Sequence, residues 1–175
     1  MTARTAAIIF LLFLASLAIQ GSVLALAAPG GVHPDILLVV TVALSALAGP
    51  RRGAITGLCA GLMQDILFGS PLGFFAVVKM LAGAAAGLFA EYIYKDVVLV
   101  LMLMMGVLTF FSDAATFLML DAFGFSRPPS LVGYLQQATF IRAAINFFLM
   151  GAIYPYLYRA QKRHLLFTNY PRTEE

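Results

Sequence analysis

From Thr5 to Val32 the chain carries no Lys, Arg, Asp or Glu, a run long enough for a helix to cross the ~30 Å hydrocarbon core of a bilayer at about 1.5 Å per residue. Similar runs recur down the sequence. Only 11% of the 175 residues are charged and 62% are hydrophobic, whereas about a quarter of the residues are charged in an ordinary soluble domain. Mean hydropathy is +0.94. A water-soluble fold cannot hide that much apolar surface, so the chain reads as an all-α integral membrane protein whose helices form one domain in lipid. The first run could imitate a secretory signal, with Arg4 before it and Ala25-Leu26-Ala27 as a small-residue site. It is far longer than the usual apolar core of about 7 to 15 residues, and reads as an uncleaved first helix.

Gly, Pro and charge divide the chain into six apolar segments: Thr5 to Ala28, Ile36 to Ala48, Gly53 to Phe68, Leu72 to Phe89, Val97 to Leu120 and Leu131 to Tyr158. The second would reach only ~20 Å as a helix, which leaves a re-entrant hairpin as its alternative. Charge separates the two cases, because Lys and Arg near span ends accumulate on the cytoplasmic side. With six crossings, Arg4, Arg51, Arg52, Lys95, Arg159, Lys162, Arg163 and Arg172 all lie inside and Arg127 alone outside. If the second segment does not cross, Arg51, Arg52, Lys95 and the basic C-terminus move outside, so six transmembrane helices are expected.

The domain organisation is then a six-helix membrane domain over residues 1–160 and a short polar cytoplasmic tail over 161–175. Both termini are expected in the cytoplasm. Pro34 suits the first turn of the second helix, with Asp35 favouring its N-terminus. Tyr154, Tyr156 and Tyr158 precede the basic tail as an interfacial belt would.

Several chemistries are disfavoured. The sequence pI is near 9.2, but basic residues sit singly or in pairs between apolar runs, which does not make a groove for nucleic acid. The single cysteine, Cys59, excludes an intrachain disulfide and a cysteine-based metal site within one chain. His33 and His164 fall on opposite sides of the membrane in this topology. No nucleotide-binding glycine loop or zinc spacing is present: Gly83 and Gly87 lie inside a span with no strand before them. Neither catalysis, a cofactor nor a metal is expected.

Four ionisable residues remain within the spans: Asp65, Lys79, Asp113 and Arg142. Counted from the nearest turns, they lie ~6 to 16 Å below the outer ends of their helices. Left facing lipid, each would cost about 2.5 to 3.5 kcal/mol, so four unpaired charges imply a penalty of order 10 kcal/mol. The expected solution is a buried polar cluster among helices three to six, in which Asp65 pairs with Lys79 and Gln64 and Asn146 add hydrogen bonds. Such a cluster can make a scaffold rigid or can line a ligand or proton pathway.

Gly53, Gly57 and Gly61 recur at every fourth residue up to Asp65, and Gly83 and Gly87 do the same after Lys79. Small residues at this spacing let helix backbones approach closely. Their faces serve either packing between helices three and four or a dedicated partner.

The ordered set Pro34-Asp35, Gly49-Pro50-Arg51-Arg52-Gly53, Gly57, Gly61, Asp65 and Pro71-Leu72-Gly73 resembles the bacterial rod shape-determining MreD family. That family has a Pro-Asp opening of the second span, a Gly-Pro before the third, a third span ending in Gly-x-x-x-Asp, and a Pro-Leu-Gly turn. The resemblance covers Pro34 to Gly87 closely. It implies a non-enzymatic inner-membrane component of the elongation machinery, working with MreC, the actin-like MreB, RodA and its partner transpeptidase in side-wall peptidoglycan synthesis. It also implies a fold similar to the substrate-binding subunits of energy-coupling-factor vitamin transporters, which supplies a competing function. A vitamin pocket needs outward loops long enough to cap it. The outer connections, at residues 29–35, 69–71 and 121–130, are short, and the scaffold is the favoured expectation.

Overall fold

A computed structural model describes residues 3–23, 32–92, 97–124, 130–163 and 166. Helix α1 spans Ala3–Ala18 and continues into a π-helical turn, Ile19–Val23. Then come α2, Ile36–Ala48, α3, Pro50–Phe68, α4, Phe74–Glu91, and α5, Val98–Ala122. The last helix, α6, is Phe140–Lys162, entered through one helical turn at Leu131–Tyr134 and a second π-helical turn at Leu135–Thr139. Among the described residues, four stretches are long and apolar enough to cross a membrane: Arg4–Ser22, Phe74–Glu91, Val98–Ala122 and Phe140–Lys162.

The other two helices differ for separate reasons. α3 carries Arg51, Arg52 and Asp65. α2 has only 13 residues, too few to span ~30 Å of hydrocarbon alone, and it is a single helix rather than a re-entrant hairpin. Apart from Thr41 and Ser45 it is apolar all round, and a helix of that kind belongs in an interior. Every residue from Leu37 to Leu47 is buried. α2 packs against all five other helices, which surround it in the order α1, α3, α4, α5, α6. Its ends, which would otherwise meet hydrocarbon, are held by protein groups. Gly49 alone joins α2 to α3, at φ 86°, and its N–H returns to the Ser45 carbonyl at 2.9 Å. A side chain would strain that left-handed backbone.

The α3–α4 hairpin is the tightest unit. A Cβ at Gly57 would strike the Lys79 carbonyl, one at Gly61 would strike Ala76 and Phe75, and one at Gly83 would strike Gly53. One at Gly87 would meet Gly49 and Pro50. The glycine faces are therefore turned to one another and to the α2–α3 link. These contacts also fix the register. Residues 53, 57 and 61 of α3 face 83, 79 and 76 of α4, and Ser45 and Gly49 of α2 lie level with Gly83 and Gly87. α2 and α4 thus run parallel, with α3 antiparallel to both.

Two local expectations need correction. Asp35 is the N-cap of α2, so Pro34 lies just outside the helix rather than in its first turn. Tyr154 is a buried core residue, not part of an outward belt, because it stacks on Tyr158 at 5.9 Å while Tyr156 is exposed. Lys162 Nζ sits 4.7 Å above the Tyr158 ring. Lys95, Arg127, His164, Arg172 and most of the expected tail lie outside the described residues; Gln161 and Lys162 are the last residues of α6.

Candidate functional site

The ionisable residues of the spans gather at one end of the bundle, where α2 and α4 begin and α3 ends. Asp65 is fully buried, and its carboxylate faces backbone rather than a cation. Its Oδ2 accepts from the Gly73 N–H at 2.9 Å and the Ala76 N–H at 3.3 Å, and its Oδ1 accepts from Phe75 N–H at 2.8 Å. The first turn of α4 has no cap of its own, since Gly73 is its N-cap residue. Asp65 supplies that cap from the preceding helix, and its charge meets the positive end of the α4 dipole. The expected Asp65–Lys79 pair is not formed.

Lys79 instead reaches Asp35, with Nζ and Oδ2 2.6 Å apart. The lysine is 1% exposed, so its charge needs this partner. Asp35 also ties the start of α2 to α6. Its Oδ1 accepts from Leu38 N–H at 2.8 Å, capping α2, and its own N–H donates to Asn146 Oδ1 on α6 at 3.1 Å. Asn146 then donates through Nδ2 to Thr109 Oγ1 on α5 at 3.2 Å.

A second ion pair lies beside the first. Arg142 on α6 donates to Asp113 Oδ1 on α5 at 2.7 Å, and through Nε to the His33 carbonyl at 3.1 Å. Thr139 donates to Asp113 Oδ2 at 2.7 Å. The two pairs meet on the backbone of His33 to Asp35, the segment that leads into α2. Of the expected cluster, Lys79, Asp113, Arg142 and Asn146 are brought together, Asp65 is set apart on the α4 N-terminus, and Gln64 Oε1 is buried without a partner.

Asp35, Thr109, Thr139 and the His33 carbonyl were not anticipated as members. The signal for Asp35 was available in the length of α2. A helix of ~20 Å inside a thicker bundle must start below the outer surface, which brings Asp35 within reach of a lysine side chain. Among the described residues, no group of three or more His, Cys, Asp or Glu is placed to hold a metal ion. What the arrangement does chemically is lock helices: every charge of the cluster is spent on another helix or on the segment before α2.

Neither a curated protein nor a solved structure matches the chain. A family model does, that of the rod shape-determining protein MreD, over residues 2–162 of the 175. The match spans the whole helical bundle, including α5 and α6, in which the sequence motifs are silent. On that match the chain belongs to the MreD family of membrane proteins that determine rod shape.

Proposed function

We propose that the chain is a non-enzymatic scaffold of the rod-elongation complex in the bacterial inner membrane, helping MreC, MreB, RodA and a transpeptidase to direct lateral peptidoglycan synthesis. The observation that carries this reading is the family match across residues 2–162. The geometry agrees with it: Asp65, Lys79, Asp113, Arg142 and Asn146 all bond to groups of this chain, as a rigid platform requires. The competing role, a vitamin-binding subunit, needs such side chains to turn toward a ligand.

Six crossings with both termini in the cytoplasm complete the proposal. Arg4, Arg51, Arg52, Arg159, Lys162 and Arg163 are exposed and lie at the end of the bundle opposite the ion pairs, which the positive-inside rule makes cytoplasmic. Depletion of the protein in a rod-shaped host is expected to round the cells, and detergent pull-down with mass spectrometry to recover cell-wall synthesis proteins. Recovery of a transporter ATPase pair, or rescue of growth by one added vitamin, would overturn the scaffold.

A further inference from the structure

Lys79 is buried, yet its ammonium has three N–H donors and one hydrogen bond, to Asp35. Close by in the same three-helix unit, two buried acceptors are left over: Thr41 Oγ1 on α2 and Gln64 Oε1 on α3. The register orders all three along one interface, between α2, α3 and α4. Ser45 lies level with Gly83 and Gly53, so Thr41, one turn earlier on the same face of α2, lies level with the backbone of Lys79 and with Gly57. Asp65 bonds to Phe75 and Ala76, so its neighbour Gln64 lies level with the first turn of α4. The Lys79 side chain runs from the Thr41 level to Asp35 at the head of α2 and so spans the interval between the two acceptors.

Buried polar atoms in native proteins rarely go unpaired, and a polar site between several such atoms is where ordered water resides. The geometry points to a buried water-binding site between α2, α3 and α4, in which the water accepts from Lys79 Nζ and donates to Gln64 Oε1 and Thr41 Oγ1. Water fits this set because it supplies one acceptor and two donors together. An anion supplies only acceptors: the Thr41 hydroxyl could donate to it, but Gln64 Oε1 could not.

The test is water-edited solid-state NMR on the full chain in bilayers, with 15N-labelled lysine. The sequence has three lysines, Lys79, Lys95 and Lys162, and Lys79→Met assigns the buried signal. Magnetisation is expected to pass from water to Lys79 Nζ within milliseconds, and to fall several-fold in a Thr41→Val, Gln64→Leu double variant. Thr41→Ser, which keeps the hydroxyl, is expected to retain it. Thermal midpoints give a second readout: Thr41→Val lowers the midpoint if its hydroxyl binds water, and raises it if the hydroxyl is dry and unpaired. Transfer unchanged in the double variant would show that water arrives past Asp35 and would overturn the site, as would a raised midpoint in Thr41→Val. A wild-type midpoint that rises in chloride relative to gluconate, but not in Gln64→Leu, would assign an anion and overturn the water.

Discussion

Lys79 and Asp35 hold each other at 2.6 Å across 44 residues of sequence, while Asp65, nearer in sequence and in the same hairpin as Lys79, bonds to backbone instead. The helix that bears Lys79 is thereby tied to the head of the central helix. Asp35→Ala removes the lysine's partner and leaves a buried ammonium, a loss of about 3–5 kcal/mol where such a pair is broken. Lys79→Met is milder, about 1–3 kcal/mol, because Asp35 keeps the Leu38 N–H and some contact with solvent. Detergent melts of the singles and the double are expected to show a coupling of about 0.5–3 kcal/mol, larger than that between Lys79 and Asp65. Additive behaviour of Asp35 and Lys79 would show that they are not partners.

Asp65 makes a different prediction. Asp65→Ala strips three hydrogen bonds from the start of α4, and is expected to cost about 1–3 kcal/mol through the buried N–H groups left behind. Asp65→Asn keeps one acceptor but turns an NH2 donor toward N–H groups that the other oxygen served, and is expected to cost a similar amount, about 1–3 kcal/mol, that of an unsatisfied buried donor. Hydrogen exchange at Phe75 and Ala76 is the direct measurement. Unchanged protection there in Asp65→Ala would refute the capping role.

Glycines distinguish packing from propensity. At Gly57 an added methyl meets the Lys79 backbone, which cannot rotate away, so Gly57→Ala is expected to lose about 1–3 kcal/mol as overpacking. Gly106 in α5 has open space where its Cβ would stand, and Gly106→Ala is expected to gain up to about 1 kcal/mol of helix propensity. Thermal midpoints should move in opposite directions.

Single cysteines in a Cys59→Ala background test orientation. An impermeant thiol reagent added to intact cells is expected to label Leu72→Cys, on the exposed turn between α3 and α4, and to spare Arg52→Cys and Lys162→Cys. Labelling of Arg52→Cys would reverse the topology that the basic residues imply.

Helices were legible because hydropathy and punctuation are local. The bounds of α2 read from sequence, Ile36 to Ala48, are those of the structure, and Gly69 and Pro71 marked the α3–α4 turn. Asp113 and Arg142, expected at similar depth, do meet. Partner choice was not. Two acids compete for Lys79, and sequence spacing favours Asp65; what decides is that the uncapped α4 N-terminus satisfies Asp65, a tertiary fact. Tyr154 was misplaced for a similar reason, since aromatic residues near a span end suit an interface or a core equally until the neighbouring helix is known. The glycine faces showed close approach without showing to what.

The burial of α2 has a mechanical consequence. A helix that touches lipid tilts, kinks or shifts when the bilayer is thicker or thinner than its apolar length. α2 is buried from Leu37 to Leu47 and is insulated from that adjustment. Changes in membrane thickness meet the surrounding helices first and reach the central helix only through its contacts with them, among them the grip of Lys79 and Asn146 on its head.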